Sequence, residues 1–456
     1  MPTAATNPTE RHRAGGVPTL TALARVALPA IACALASPCA HADGPPTGLV
    51  PIANLSAGDS AWMMVSTALV LLMTLPGTAL FYAGMVRKKN VLSMLMQSYT
   101  IAALVTLVWW AVGYSLALTP GTPYLGGLSR AFFGGLTFDK ASGLVSVSPI
   151  APTVPETVVA LFELTFAIVT GALICGAFAE RMKFSALIVF MTAWSLLVYV
   201  PVAHWVWEPG GWLAGRGVLD YAGGTVVHIN AGVAGLAGAL VMGKRAGYGK
   251  FSMAPHNLVL TVIGTGLLWV GWFGFNAGSA GAADARAGLA MLTTQLGAAA
   301  AALAWMGMER LTRRKPSVLG LASGAVAGLV AITPASGFVG PNAAVVIGLV
   351  AGVVCFYGAT SLKHLLGYDD SLDAFGVHGV GGIAGALLTG PLADPAIGGS
   401  AGSLGAQALG VGVTVVYGFC VSYALFWLIN RTMGLRVTDE EEREGLDVAQ
   451  HGESIE

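Results

Sequence analysis

The chain has 456 residues, of which 55% are apolar and only 10% charged, and it contains 62 glycines. An ordinary soluble domain carries about 25% charged residues, so this chain cannot coat a water-facing surface, which excludes a soluble enzyme or a disordered scaffold. Lys+Arg and Asp+Glu balance at 23 each, leaving no basic field to attract nucleic acid. The composition is that of a polytopic α-helical membrane protein.

The first residues read as a targeting segment. Residues 1–25 are polar with Arg11, Arg13 and Arg25, then Val26 to Ala36 is apolar, then Ala40-His41-Ala42 follows. This order predicts a signal peptide over 1–42 with cleavage before Asp43, followed by a short periplasmic segment over 43–59. About eleven apolar residues are too few to cross ~30 Å of hydrocarbon at ~1.5 Å each. Cys33 and Cys39 belong to that segment, while Cys175, Cys355 and Cys420 stand singly in apolar stretches without metal or disulfide spacing.

Past Ser60, apolar runs of span length alternate with short charged or Gly/Pro-rich breaks. Eleven spans are expected, over 60–84, 91–118, 157–179, 185–206, 223–243, 257–281, 288–308, 318–334, 342–362, 374–391 and 404–430. The runs are continuous rather than alternating, which argues against a β-barrel. With Arg87, Lys88 and Lys89 inside, 16 basic residues fall on the cytoplasmic side and four (Arg130, Lys140, Arg216, Arg286) outside. That bias places the mature amino terminus outside and the tail 433–456 in the cytoplasm of an inner-membrane protein. The membrane domain is 60–432.

The spans contain an internal echo. Phe81-Tyr82-Ala83-Gly84, late in span 1, resembles Phe275-Asn276-Ala277-Gly278, late in span 6. Asp220 precedes His228 by eight residues, and Asp370 precedes His378 by the same spacing, at the starts of spans 5 and 10. Five spans per unit is odd, so the second unit is expected upside down relative to the first. Such a five-plus-five inverted repeat places a substrate path at the interface near mid-membrane. Gly324/Gly328, Gly348/Gly352 and Gly381/Gly385 have the small-xxx-small spacing that lets helix backbones approach closely in lipid.

Polar groups inside the spans are few. His204, His228 and His378 lie in apolar runs, where an ionisable residue is a functional candidate by default. His204, beside Trp205 near a span end, is read as packing against backbone carbonyls. His228 and His378 occupy matching repeat positions and are expected to meet as neutral rings sharing one donor–acceptor contact. They offer no anionic cage for a metal, and no cofactor is expected. Asp220, ahead of Gly223-Gly224-Thr225, suits the start of a helix as an acceptor of backbone N–H groups. Asp370 and Asp373 are expected to do the same for span 10, and Glu163 is read as either a vestibule carboxylate or a solvated one. Trp207, Phe162, Phe166 and Phe275 suit a cation–π collar above a hydrophobic constriction.

Several long stretches then converge on a known family. They are Phe162-Glu163-Leu164-Thr165-Phe166, Gly176-Ala177-Phe178-Ala179-Glu180-Arg181, Asp220 to Asn230, Gly271 to Gly281, Asp373 to Gly379, and the tail around Gly434-Leu435-Arg436-Val437 and Glu442 to Asp447. In these residues the chain resembles the ammonium transporter (Amt/Mep/Rhesus) family over roughly 60–450. The resemblance implies an eleven-span fold with a pore in each subunit of a homotrimer. It carries the pore histidines onto His228 and His378 and the aromatic gate onto Phe166 and Phe275. The outer ammonium site falls on Trp207, Phe162, Phe166 and Ser279, with Asp220 as the structural acid beside it. The tail resembles an element that receives PII-type regulatory proteins. Glu163 departs from the family pattern, which has a neutral amide there in many members.

The implied activity is ammonium recruitment, deprotonation and passage of ammonia along the two histidines, with a separate proton relay as an open possibility. A Rhesus-type gas channel and an ammonium sensor-transporter with little flux are alternatives. A haem protein with histidine axial ligands, and a hydrolase resting on Gly398-Gly399-Ser400-Ala401-Gly402, are readings from other classes.

Overall fold

In lipid every backbone polar group must be satisfied within its own element, so long apolar runs become helices. The computed structural model describes residues 48–455, and among them are eleven apolar helices of the bundle, ten long and one shorter. They are α1 Ala57–Met85, α2 Lys88–Leu118, α3 Glu156–Phe178, α4 Phe184–Trp207, α5 Gly224–Met242, α6 Leu258–Gly278, α7 Ala285–Arg313, α8 Val318–Ile332, α9 Pro341–Leu366, α10 Phe375–Leu392 and α11 Leu404–Thr432. Ten are long and apolar enough to span a membrane; α8 has 15 residues. The expected spans correspond to these helices one for one, with ends displaced by a few residues. The predicted signal peptide over 1–42 lies outside the described residues.

The halves are packed as an antiparallel pair of equivalent helices. Gly84 of α1 lies against Asn257 and Thr261 at the start of α6, and Gly278 of α6 lies against Ser66 in the first half of α1. Between them Gly77 meets Leu268, and Gly271 meets Met73. The contacts therefore run head to tail along both helices, as two copies related by a two-fold in the membrane plane require. The glycine rows elsewhere serve the same close approach: a Cβ on Gly352 of α9 would lie 2.5 Å from the Ala301 carbonyl of α7. Helices α3 and α5 are the most enclosed, with 83% of their apolar windows buried, against 33% for α11. The path they line is central, and α11 faces outward.

The connection 119–155, read from sequence as a long loop, contains five short strands among its turns. β1 Gly48–Pro51, β4 Phe138–Asp139, β5 Leu144–Ser148 and β6 Ala151–Pro155 form one antiparallel sheet, and β2 Gly121–Thr122 pairs with β3 Leu125–Gly126. Burial of Val145, Val147 and Val154 seats this cap on the bundle. β6 runs directly into α3, whose first residue, Glu156, accepts from Arg130 Nε at 2.9 Å and the Tyr114 hydroxyl at 3.0 Å.

At the opposite end, charged residues from distant breaks form a buried network. Glu180 pairs with Arg87 at 2.8 Å and Arg245 at 3.3 Å, and Arg245 pairs with Asp369 at 2.9 Å. Burial works to raise the Glu180 pKa, but Arg245 and Arg87 outweigh it and hold the carboxyl below its ordinary value. The tail docks on this end through two short helices, Asp439–Glu444 and Leu446–His451. Asp447 accepts from Leu92 N at 3.0 Å and Ser93 N at 2.7 Å, capping α2. Glu442 accepts from Ala246 N and from Arg436, both at 2.6 Å.

Candidate functional site

The site is a column of rings between the two halves. α5 and α10 both open with a widened π turn, Gly224–Ile229 and Phe375–Gly379, and each turn carries one histidine. Such insertions recur at functional positions because they re-aim a side chain. The helices cross almost backbone to backbone. A Cβ on Gly232 would lie 2.3 Å from the Gly379 amide nitrogen, and one on Gly382 would lie 2.9 Å from the Gly224 carbonyl oxygen. Glycine at both symmetry-related places lets the histidines meet: His228 Nδ1 is 3.4 Å from His378 Nδ1, with ring centroids 5.4 Å apart. Both rings are buried, and His228 Nε2 has no hydrogen-bond partner among the described residues. The direct contact leaves no room for a porphyrin between these rings.

The remaining rings extend the column in one direction. Trp272 stacks on His228 with centroids 5.2 Å apart and donates its indole N–H to Thr333 Oγ1 at 2.8 Å. Phe275 lies 5.9 Å from His228 and stacks on Phe166 at 4.2 Å. Phe166 then meets Phe162 at 4.9 Å and the edge of Trp207 at 5.7 Å. Beyond this stack lies a cavity of about 110 Å³ lined by Phe162, Glu163, Phe166, Trp207 and Ser279. A smaller pocket of about 10 Å³ touches His378 on the other side, with Tyr82 and Asp373 in its wall. The stretch between the two spaces is occupied by aromatic and imidazole rings.

Asp220 ties the mouth of the column to its narrow part. Its Oδ1 accepts from Gly223 N at 2.9 Å and Gly224 N at 2.7 Å, and its Oδ2 from Thr225 N at 2.8 Å and Val226 N at 3.1 Å. One carboxylate thereby satisfies the four amides that the start of α5 leaves unpaired. Burial pushes the Asp220 pKa above the usual carboxylate value, with these four amides opposing. Its backbone carbonyl also accepts the Trp207 indole N–H at 3.0 Å.

Asp370 makes the matching contacts in the second half, to Ala374 N at 3.0 Å and Phe375 N at 2.8 Å. Asp373 does not share that role, contrary to expectation: it has φ +59° and pairs with Lys363. Ser279 caps α6 and donates to the Phe275 carbonyl at 2.8 Å. His204 stands apart, with its two ring nitrogens 2.9 and 2.8 Å from the Ala117 and Thr122 carbonyl oxygens. The Gly398–Gly402 stretch leaves a four-residue helix for irregular backbone, without the strand-to-turn context a nucleophile elbow needs. Sequence reasoning missed Trp272 as a partner of His228, although its span and spacing from Phe275 were in view.

An eleven-helix membrane bundle of two inverted halves, with a ring-lined axial path, defines a helical membrane transporter rather than an enzyme. The chain belongs to the Ammonium Transporter Family, whose model matches residues 61–455. It is 46% identical over 408 residues to the ammonium transporter of Bacillus subtilis, covering 88% of this chain and 98% of that one. It is 48% identical over 410 residues to a putative ammonium transporter of Methanothermobacter thermautotrophicus, with the same coverage of 88% and 98%. Among solved structures it resembles Saccharomyces cerevisiae Mep2 with a TM-score of 0.78 and 36% identity, covering 85% of this chain and 89% of that one. A structure described as a sensor Amt protein matches with a TM-score of 0.79 and 30% identity, covering 86% and 98%.

Proposed function

We propose that this protein is an ammonium transporter in which the column of rings passes ammonia but no intact cation. The observation that carries the reading is the pair His228 and His378 behind the Phe166/Phe275 stack, with one buried imidazole nitrogen left unpartnered. Ammonium reaches the outer cavity, where the Trp207 and Phe166 faces and the Ser279 hydroxyl hold it; Phe162 lines the same wall. Each aromatic face contributes ~0.5–2 kcal/mol to a cation. Moving on as a charged species would strip its water without a counter-charge, which costs several kcal/mol. The molecule therefore releases its proton at or before the stack, and neutral ammonia hydrogen-bonds its way past the two rings. Potassium, of like charge, has no proton to shed and is refused.

The same reading places the Trp207 end outside and the tail in the cytoplasm, in the inner membrane, following the excess of basic residues at the tail end. The subunit is proposed to assemble as a homotrimer with one path each, and the docked tail to be the surface a PII-type protein meets. The likeness to a sensor Amt protein supports a second reading, in which recognition of ammonium is retained with little flux.

Currents recorded from proteoliposomes on a solid-supported membrane, with internal pH followed in parallel, test these readings. A positive inward current on ammonium addition supports transport with a proton relay, and alkalinisation without current supports passage of ammonia alone. Neither signal, with ammonium binding intact, supports the sensor reading and defeats the transporter.

A further inference from the structure

Two acids stand seven residues apart on α3, and their surroundings differ. Glu156 is buried, with Arg130 Nε and Nη2 at 2.9 and 3.0 Å from its oxygens. Glu163, about two turns further along, is half-buried and makes neither a hydrogen bond nor an ion pair among the described residues. Its side chain lines the 110 Å³ cavity together with Phe166, Trp207 and Ser279. That volume holds a few waters at ~30 Å³ each.

Neighbouring charges at this end are committed elsewhere. Asp59 accepts from Thr153 Oγ1 at 2.6 Å, Glu208 from Gly210 N at 2.5 Å and Asp284 from Ala287 N at 2.9 Å, while Asp220 is saturated by backbone amides. Arg286 donates to the Gly337 carbonyl at 3.0 Å, and its guanidinium lies 4.9 Å over the Tyr221 ring. Glu163 is therefore the acidic side chain that lines the aromatic cavity without a hydrogen-bond or ion-pair partner among the described residues.

We propose that Glu163 is a specificity-determining residue of the vestibule, whose carboxylate draws small monovalent cations into the aromatic cavity and sets the apparent affinity for ammonium. This inference rests on the transport reading above and deepens its first step. A concave wall of low dielectric focuses the field of a single charge. The aromatic faces then select among the cations so gathered, since they favour a weakly hydrated ammonium over sodium. Because the attraction acts through solvent, it is screened by salt over ~8–10 Å. The carboxylate should not touch the step at the histidines, so it acts on affinity and leaves the maximal rate alone.

The test is Glu163→Gln, which keeps the shape and removes the charge, with Glu163→Asp as the conservative control. Ammonium-evoked currents in proteoliposomes are titrated at low salt and again with 300 mM choline chloride outside, a concentration of roughly twice physiological ionic strength. The half-saturating ammonium concentration should rise about three- to fivefold in Glu163→Gln at low salt. The maximal current should stay within about twofold of wild type, Glu163→Asp should remain close to wild type, and high salt should close the gap. An unchanged half-saturation, or a shift of equal size at both salt levels, overturns the proposal. Methylammonium binding to detergent-solubilised wild type and Glu163→Gln, measured by calorimetry, separates the two claims. Weaker binding in the variant upholds the carboxylate's role even where wild-type current is absent, and equal binding sinks it.

Discussion

Replacing Gly232 by alanine tests the helix crossing on which the whole site depends. The added Cβ would sit 2.3 Å from the Gly379 nitrogen and 2.4 Å from its Cα, whereas ordinary contacts begin near 3.4 Å. The partners are backbone atoms and cannot rotate away, so α5 and α10 must separate by about 1 Å, and overpacking of this kind costs typically ~1–3 kcal/mol. His228 lies one turn from Gly232, so the 3.4 Å contact with His378 opens with the crossing. Gly412→Ala in α11 is the matched control, since a Cβ there meets nothing within 4 Å and alanine is the better helix former by ~1 kcal/mol. Thermal unfolding in detergent and ammonium-evoked currents should separate the two. Gly232→Ala should melt a few degrees lower and lose most of its current, while Gly412→Ala should match or exceed wild type. A Gly232→Ala protein with wild-type melting and current would refute the argument that backbone contact sets the histidine geometry.

Asp220→Ala strands four amides at the start of α5 and should cost about 3–5 kcal/mol, because a buried set of donors loses its charged acceptor. Asp220→Asn, which keeps one oxygen acceptor, should fall between, and equal melting of all three proteins would contradict the capping role. His228→Asp puts a negative charge 5.4 Å from the next ring centre. At an effective dielectric of 20 that attracts a cation by about 3 kcal/mol, so potassium conductance should rise by up to ~100-fold; continued exclusion would end the neutral-filter idea. Glu180 has a lowered folded-state pKa from Arg245 and Arg87, with burial opposing. Its stabilisation is therefore full above its unfolded pKa of ~4.3 and lost as pH falls through the lower folded value. The melting difference between wild type and Glu180→Gln should be largest near neutrality and shrink below about pH 4; a gap independent of pH would refute this.

The helices were legible because hydrocarbon thickness demands a sustained apolar run of about 20 residues for a typical span, a constraint that survives ignorance of all tertiary contacts. The histidine positions were legible because Asp220/His228 and Asp370/His378 repeat one spacing, and a structural repeat converts sequence distance into geometry. The cap was not: strands of two to five residues such as Phe138–Asp139 and Leu144–Ser148 are too short to show alternation against a Gly-rich background. The Glu180 network was not legible either, because Arg87 lies 93 residues from Glu180 and Asp369 lies 124 residues from Arg245, and nothing local names such partners. Asp373 was misjudged for a similar reason. Its spacing mimics a helix cap, but Lys363 at the end of α9 takes the carboxylate instead. Ser279 is a hydroxyl at the end of a glycine-rich helix, and only resemblance to a family singled it out.

A single aspartate joins two parts of the path. Its carboxylate grips the first turn of the helix bearing one imidazole, and its main chain grips the indole at the rim. Tilting that helix therefore drags the rim with it, so the doorway and the innermost barrier behave as one lever. Opening of the rim by itself is therefore opposed by the same residue that anchors the helix.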